Sequence, residues 1–291
     1  MRIGHIRPGR PTRYWRAFRT GLAFAVFGVG ALVVTFGLIP LIRLTLRGRE
    51  HPRARVQRLV HRAFRLFEWF MSVLGLIRVS RVGFDRLPPD GPRLIIANHP
   101  TLIDVVLLVA TLPQADCVVK KAASRNPYLR GVVAAAGYIP NDEGEALVEA
   151  CVARLREGRT LLLFPEGTRS PMGRLGPLHR GAAHIGIRSG LPLIPIVIRC
   201  SPPTLMKGQR WYDVPDRRVT LTLEVEEPIG PAADPVPEDS GPLAARRLTT
   251  AIQRLYEDRI GRGQLTDAAA AAMLASVGDR PRATAESVGA P

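Results

Sequence analysis

Cysteine is scarce in this 291-residue sequence. Its three copies, Cys117, Cys151 and Cys200, are far apart, odd in number and outside CxxC or Cys/His spacing. That excludes a disulfide framework and a recognisable zinc motif, and it is compatible with a reducing compartment. The usual protein nucleophiles are also missing: there is no G-x-S-x-G elbow, no S-x-x-K, no P-loop and no H-E-x-x-H. Lysine occurs only at Lys120, Lys121 and Lys207, against abundant arginine. A lysine kept against that bias is a candidate for work a guanidinium cannot do, although chance alone would leave one or two. No internal repeat is evident.

The chain does carry a net charge of +16 on a composition that is 46% hydrophobic, so it can build a core and is not a charged, disordered polymer. The arginines are dense before residue 66, from Arg2 to Arg65. Among them lies the longest uncharged run, Thr20 to Ile42, long enough to cross a hydrocarbon layer of about 30 Å. It exceeds a signal-peptide core, and no small-residue cleavage site follows it. Basic residues on both flanks leave orientation open, so a full span and a hairpin with both ends cytoplasmic fit equally well. From Arg53 to Ile77, apolar residues recur at helical spacing with arginines between them. This reads as a basic amphipathic helix on anionic lipid, or as a core helix with a solvated arginine face. Nucleic acid is not the expected partner, because no helix-turn-helix, finger or RNP-type signature accompanies the charge.

From Arg93 onward, short apolar runs alternate with helical stretches. Strands are expected over 93–98, 116–120, 160–167, 192–200 and 218–228, with helices between them, which predicts an α/β sheet packed by helices. The expected organisation is an N-terminal membrane segment and basic helix over 1–77, a catalytic domain over 78–230, a linker with one helix over 231–262, and a disordered tail over 263–291, where the composition is small, polar and Ala-rich.

The stretch "ANHPTLID", residues 97–104, puts an imidazole and a carboxylate five positions apart where an apolar strand ends. That is two thirds of a hydrolytic triad. The third member need not be protein: a substrate hydroxyl can take the serine's place. His99 would then remove its proton as it attacks an activated acyl carbonyl, with Asp104 fixing the tautomer. The same letters also spell a helix start, with Thr101 as N-cap and Asp104 three positions on, and the two readings are compatible. A second stretch, "LLLFPEGTRS" at 161–170, ends an apolar strand abruptly in Pro165, Glu166, Gly167, Thr168 and Arg169. A turn accounts for the proline and glycine but not for the carboxylate and guanidinium. Ligand sites gather at the carboxyl ends of such strands.

Together these stretches resemble the glycerolipid acyltransferases, the family of 1-acylglycerol-3-phosphate acyltransferases. "NHPTLID" matches the family's NHxxxxD box, "FPEGTRS" its FPEGTRS box, and "LPLIPIVI" at 191–198 its later proline-containing strand. "GYIPND" at 137–142 occupies the place of the remaining box, and the likeness covers about residues 75 to 230. The resemblance implies a mixed sheet flanked by helices with an N-terminal membrane-associated segment. It implies His99 as general base and Asp104 as its partner, with Lys120, Glu166, Gly167, Thr168 and Arg169 on the substrates. It also implies an acyl donor on CoA or acyl carrier protein, no metal and no further cofactor, membrane lipids as partners, and a role in phospholipid biosynthesis at a bacterial inner membrane with the catalytic domain facing the cytoplasm. One departure stands out. The family's box at 137–142 usually ends in a basic residue that helps hold the acceptor phosphate, and here Asn141 and Asp142 stand instead. Lys120 matches the family's lysine after the first box and suits a phosphate or a developing oxyanion. The loop 204–215, with Lys207, Trp211 and Tyr212, reads as a plain surface loop, or as an interfacial or gating one. The competing functions are a non-catalytic lipid-binding relative and a thioesterase in which water replaces the alcohol.

Overall fold

A computed structural model describes residues 10–45, 52–126, 129–141, 144–171, 174–230 and 241–278. The expectations for Asp142, the linker at 231–240 and the tail at 279–291 lie outside the described residues.

Among the described residues, seven strands form one mixed sheet in the order β1-β7-β6-β2-β5-β3-β4. They are β1 (Ile77–Val82), β2 (Arg93–Ala97), β3 (Asp116–Lys120), β4 (Ile139–Asn141), β5 (Thr160–Leu163), β6 (Leu193–Ser201) and β7 (Val219–Val225). Pairing is parallel throughout except between β6 and β7, which run antiparallel. The central strands β2 and β5 are apolar runs buried on both faces, as a covered parallel sheet requires. β1 and β4 were not anticipated. β1 is an edge strand whose arginines and serine face out, and β4 is three residues long, so neither carries a strong apolar signal.

Each face of the sheet has its own core. One is covered by α7 (Glu145–Arg156), α8 (Gly181–Ser189) and α9 (Gly241–Gly278), with Tyr256 fully buried. α9 runs through Gly278, where a disordered tail was expected from 263. The run "DAAAAAMLAS" is small but alanine has the highest helix propensity, and that propensity extends the helix begun by the buried segment at 244–256.

The other face is covered by α4 (Asp104–Thr111), by α6 (Arg130–Ala136), which the short α5 (Lys121–Arg125) precedes, and by the N-terminal helices. α1 (Arg10–Leu32) continues through a π-helical turn, Val33–Leu38, into α2 (Ile39–Thr45). Pro40 removes a donor and crowds the carbonyl of Phe36, and the widened turn sits where that conflict falls. There Thr35 packs so close to Gly131 that a Cβ at that glycine would lie 2.6 Å from its methyl. α3 spans Pro52–Val73 and stops because Gly75 takes a left-handed φ of 70°, so Ile77 begins β1 rather than ending the helix. α3 has a buried and an exposed face. Val56, Val60 and Met71 are buried in the core, whereas Arg62, Arg65, Leu66, Trp69 and Val73 are exposed. α3 is pinned to β3 by a polar clamp. Gln57 Nε2 donates to Asp116 Oδ1 at 2.6 Å, and Arg53 and Arg159 pair with the same buried carboxylate at 2.7 and 3.0 Å.

Arg13–Ile42 is a 30-residue stretch long and apolar enough to cross a membrane. Its length is about 45 Å at 1.5 Å per residue. Ala23, Val34, Thr35 and Ile39 are buried against the rest of the chain, while Phe18, Leu22, Val29, Phe36 and Leu41 on the other side are exposed.

Candidate active site

The site forms where β2 and β5, neighbours in the sheet, end side by side. Asn98, just beyond β2, continues the pairing with β6 through its side chain. Its Oδ1 accepts from Ile198 N at 2.7 Å and its Nδ2 donates to Ile198 O at 2.9 Å. This fixes the exit of the strand and hence the position of His99.

His99 Nδ1 lies 2.8 Å from Asp104 Oδ2, and Asp104 is wholly buried in the first turn of α4. With the carboxylate ionised, Nδ1 is the donor, and Nε2 is left with its lone pair on a ring that lines a cavity. The ring rests on Phe164, 4.4 Å between centroids. Burial pushes the Asp104 carboxyl above its ordinary value of 3.8, against the pull of hydrogen bonds from His99 and Thr101. Those from Thr101 come from its N–H, at 2.6 Å, and from its hydroxyl. The helix starts later than the capping-box pattern suggested: Ile103 is the N-cap and Asp104 the first helical residue. Half of the box survives, because the carboxylate still reaches back to the Thr101 N–H.

Glu166 was expected on the acceptor, and its surroundings are different. It is 2% exposed, and both oxygens are taken by protein donors. Oε1 accepts from His99 N at 2.9 Å and from Ser170 Oγ at 2.8 Å, while Oε2 accepts from Gly176 N at 2.8 Å. Ser170 N also donates to His99 O at 2.7 Å. Both backbone groups of His99 are therefore held by the second sequence box, and Glu166 is the buckle between them. Buried against the turn, a carboxylate accepting three donors explains the acidic residue that a simple turn did not.

Arg169, also expected on the acceptor, donates through Nη1 to the carbonyls of Leu205 and Met206 at 3.0 and 3.2 Å. Leu102 N donates to the same Leu205 carbonyl at 3.1 Å. Leu205 takes a φ of 52°, a left-handed conformation costly for a residue with a Cβ, and its carbonyl joins the two boxes. Gly167, at φ 61°, closes the turn after β5, and a Cβ there would press to 3.2 Å on the His179 ring. Lys120 Nζ donates to Thr168 Oγ1 at 3.1 Å. Lys120 stands in register with Asn141 across β3 and β4, and both line the cavity.

The cavity holds about 500 Å3 and is walled mainly by apolar groups, among them Phe24 and Phe27 of α1, Phe64, Phe67 and Met71 of α3, and Val119. It therefore lies between the N-terminal helices and the sheet. Cys117 lines it too, but burial pushes that thiol up to about 12, so it is not a nucleophile at neutral pH. Among the described residues, no three His, Cys, Asp or Glu side chains converge as metal ligands. His99, Lys120 and Gly167 thus line the cavity, with Asp104 bonded to His99 and Thr168 to Lys120, and Glu166 and Arg169 behind them as braces. Asn98, Phe164 and Ser170 lie inside the two sequence boxes and Leu205 in the loop 204–215, but sequence reasoning gave none of them a role.

The family description for acyltransferases matches residues 78–199. A 1-acyl-sn-glycerol-3-phosphate acyltransferase of Helicobacter pylori is 31% identical over 176 residues, which is 58% of this chain and 70% of the relative. The enzyme of that name from Pseudomonas aeruginosa is 26% identical over 242 residues, 80% of this chain and 86% of the relative. The crystal structure of the 1-acyl-sn-glycerophosphate acyltransferase from Thermotoga maritima has the same fold, with a TM-score of 0.62 at 18% identity over 86% of this chain and 95% of that one.

Proposed function

The chain belongs to the glycerolipid acyltransferase family and is an acyltransferase, and from that premise we propose that it moves a fatty acyl group from a thioester on CoA or acyl carrier protein to a hydroxyl of a lyso-lipid, 1-acylglycerol-3-phosphate or a close relative. The observation that carries this reading is the His99–Asp104 pair, 2.8 Å apart, on the wall of an apolar cavity of about 500 Å3.

The acceptor hydroxyl would stand at His99 Nε2. As its oxygen forms a bond to the thioester carbonyl carbon, Nε2 takes the proton and Asp104 stabilises the imidazolium. The C–S bond then breaks, and the departing sulfur takes the proton back from Nε2, so the enzyme ends unchanged without an acyl-enzyme. Lys120, hydrogen-bonded to Thr168 in the turn after β5 and lining the cavity, suits a phosphate or the developing oxyanion. The acyl chain would lie in the cavity. Asn141, facing Lys120 across the strands, gives a weaker anion site than a basic residue would, which favours a lyso-lipid whose charge is smaller or differently placed than that of a phosphate monoester.

The membrane is the source of that lipid. α1 and its continuation α2 contact the rest of the chain at two separated points, through Arg16 of α1 bonded to Pro215 and Arg217 and through the buried Ile39 of α2. A free-standing span could not do this, so the helix is proposed to lie in one leaflet with its exposed apolar side in lipid. The cytoplasmic face of a bacterial inner membrane is the expected setting, because its anionic lipids suit the basic flank.

The test is an acceptor screen of the purified full chain with acyl-CoA and acyl carrier protein donors, following thiol release and the acylated product. Thiol release independent of every acceptor would support a thioesterase instead. No turnover with any donor would reject the proposal.

A further inference from the structure

The chain has three tryptophans, and all three are exposed: Trp15 by 53%, Trp69 by 60% and Trp211 by 49%. Trp15 and Trp69 belong to α1 and α3, where exposed aromatics accompany an apolar face. Trp211 is remote from them in sequence, in the loop that joins β6 to β7, yet the fold brings it against α1. Its ring covers Gly21 of α1, where a Cβ would come within 3.3 Å of it, and meets Phe24 edge-on with centroids 6.2 Å apart. Tyr14, 72% exposed, precedes Gly21 by two helical turns and so lies on the same flank of α1.

The loop is held there rather than adrift. Arg16 donates through Nε to Pro215 O at 2.9 Å and through Nη2 to Arg217 O at 2.8 Å, fastening its far end to α1. Arg169 and Leu102 fasten its near end through the Leu205 carbonyl. Within it, Tyr212, 42% exposed, packs edge-on against Trp211 at 5.5 Å, with the Arg210 guanidinium 5.7 Å from its ring. Rings pinned outward on a braced loop, next to a long apolar helix face, are what an aqueous surface disfavours and a bilayer interface favours, since indole and phenol are apolar bodies with one polar edge. Four cations in the loop, Lys207, Arg210, Arg217 and Arg218, against Asp213 and Asp216, match an anionic headgroup layer.

We propose that the Trp211–Tyr212 loop is a third lipid-contacting element, which with α1 and α3 forms a bilayer-facing rim for the cavity. Its partner is the interfacial layer of an anionic bilayer. The inference rests on the membrane-acyltransferase reading above and adds a path. The same loop carries Leu205, whose side chain lines the cavity and whose carbonyl ties Leu102 to Arg169, so a lyso-lipid leaving the bilayer passes along this lip towards His99.

The test uses the full chain with Trp15→Phe and Trp69→Phe, leaving Trp211 as the sole tryptophan, and vesicles of phosphatidylglycerol and phosphatidylethanolamine. Its emission should shift to the blue on binding and be quenched by a spin label high on the acyl chain more than by one near the chain end. In parallel, Trp211→Ser with Tyr212→Ser should lower vesicle partitioning about tenfold, the equivalent of half-burying one aromatic side chain. Turnover of a short-chain, water-soluble lyso-lipid should be unchanged in that variant. An unquenched Trp211 in vesicle-bound protein, or wild-type partitioning of the serine variant, overturns the proposal. Absence of turnover on the soluble acceptor in both proteins would instead reject the acyltransferase reading, while the quenching result still decides the lip.

Discussion

Replacing Asp104 by asparagine separates the two jobs its carboxylate can do. In the native site it accepts from His99 Nδ1, from the Thr101 N–H and from the Thr101 hydroxyl. His99 Nδ1 and the Thr101 N–H share Oδ2, whereas the Thr101 hydroxyl meets Oδ1. An asparagine oxygen at the Oδ2 position therefore keeps both N–H donors, and the amide NH2 takes the place of the acceptor used by the Thr101 hydroxyl. The tautomer is preserved, but a neutral amide no longer stabilises the imidazolium that forms as Nε2 takes the proton. Loss of that charge should lower kcat about 100- to 10,000-fold, some 2.7–5.5 kcal/mol of barrier. Stability should move far less. One hydrogen bond to a charged group is lost, about 1.5–3 kcal/mol, but the cost of burying an ionised carboxylate vanishes with it. The net change is expected within about 2 kcal/mol, or under about 8 °C in Tm. It should also depend on pH in a definite direction. Burial raises the folded carboxyl above 3.8, so in the native protein this group's contribution is most favourable below 3.8 and is lost as pH rises through the folded value. The variant lacks that loss, so its stability relative to native should improve from pH 4 to pH 7. Thr101→Val is the control: it removes one hydroxyl bond without touching the carboxylate charge and should cost less than tenfold in kcat. Steady-state kinetics with thermal melts across pH decide the matter. An Asp104→Asn enzyme within tenfold of native kcat, or one whose rate loss only follows its loss of fold, would refute the reasoning.

His99→Ala should lower kcat about 100- to 10,000-fold in a protein that still melts cooperatively and still binds vesicles, and near-normal turnover would remove His99 as the base. Glu166→Gln converts an acceptor of three donors into a group with an NH2 facing one of them. It should cost about 2–3 kcal/mol of stability and reduce kcat with little change in acceptor KM, whereas a rise in KM alone would put Glu166 back on the substrate. Neutralising Arg62 and Arg65 on the exposed face of α3 by Arg→Gln should weaken binding to anionic vesicles by about 2 kcal/mol at low salt, and the difference should shrink as salt rises; equal binding would make that face merely solvated. Asn141→Arg should favour 1-acylglycerol-3-phosphate over the native acceptor; if that lipid is already the best acceptor and the variant changes nothing, Asn141 does not set specificity.

Local pattern carried a good deal of this protein. Alternating apolar runs and helical stretches announced the α/β sheet because burial on two faces requires such runs whatever their order in the sheet, and the mixed pairing was expected only from the family resemblance. The five-residue spacing of His99 and Asp104 sufficed to suggest a dyad because both lie in one strand-to-helix junction, where a carboxylate in the first turn faces back towards the strand end. Where the pattern was weak, the reading failed for the same reason. β1 carries Arg78 and Arg81 along an exposed edge, and the Ala-rich end of α9 lacks the apolar period of a packed helix.

The roles of Glu166 and Arg169 could not be read this way. Glu166 meets the backbone of His99 across 67 positions of sequence, and Arg169 meets Leu205 across 36. Those meetings exist only because β2 stands between β5 and β6, so that the turns leaving all three strands converge at one edge of the sheet. Sequence by itself determined the residue types, the element types and the local dyad, since each depends on neighbours a few positions away. Tertiary structure alone decided which polar groups brace the dyad, that α1 and α3 wall the cavity, and that Trp211 packs against Gly21 and Phe24 of α1, because strand order and helix docking are set by packing summed over the whole chain.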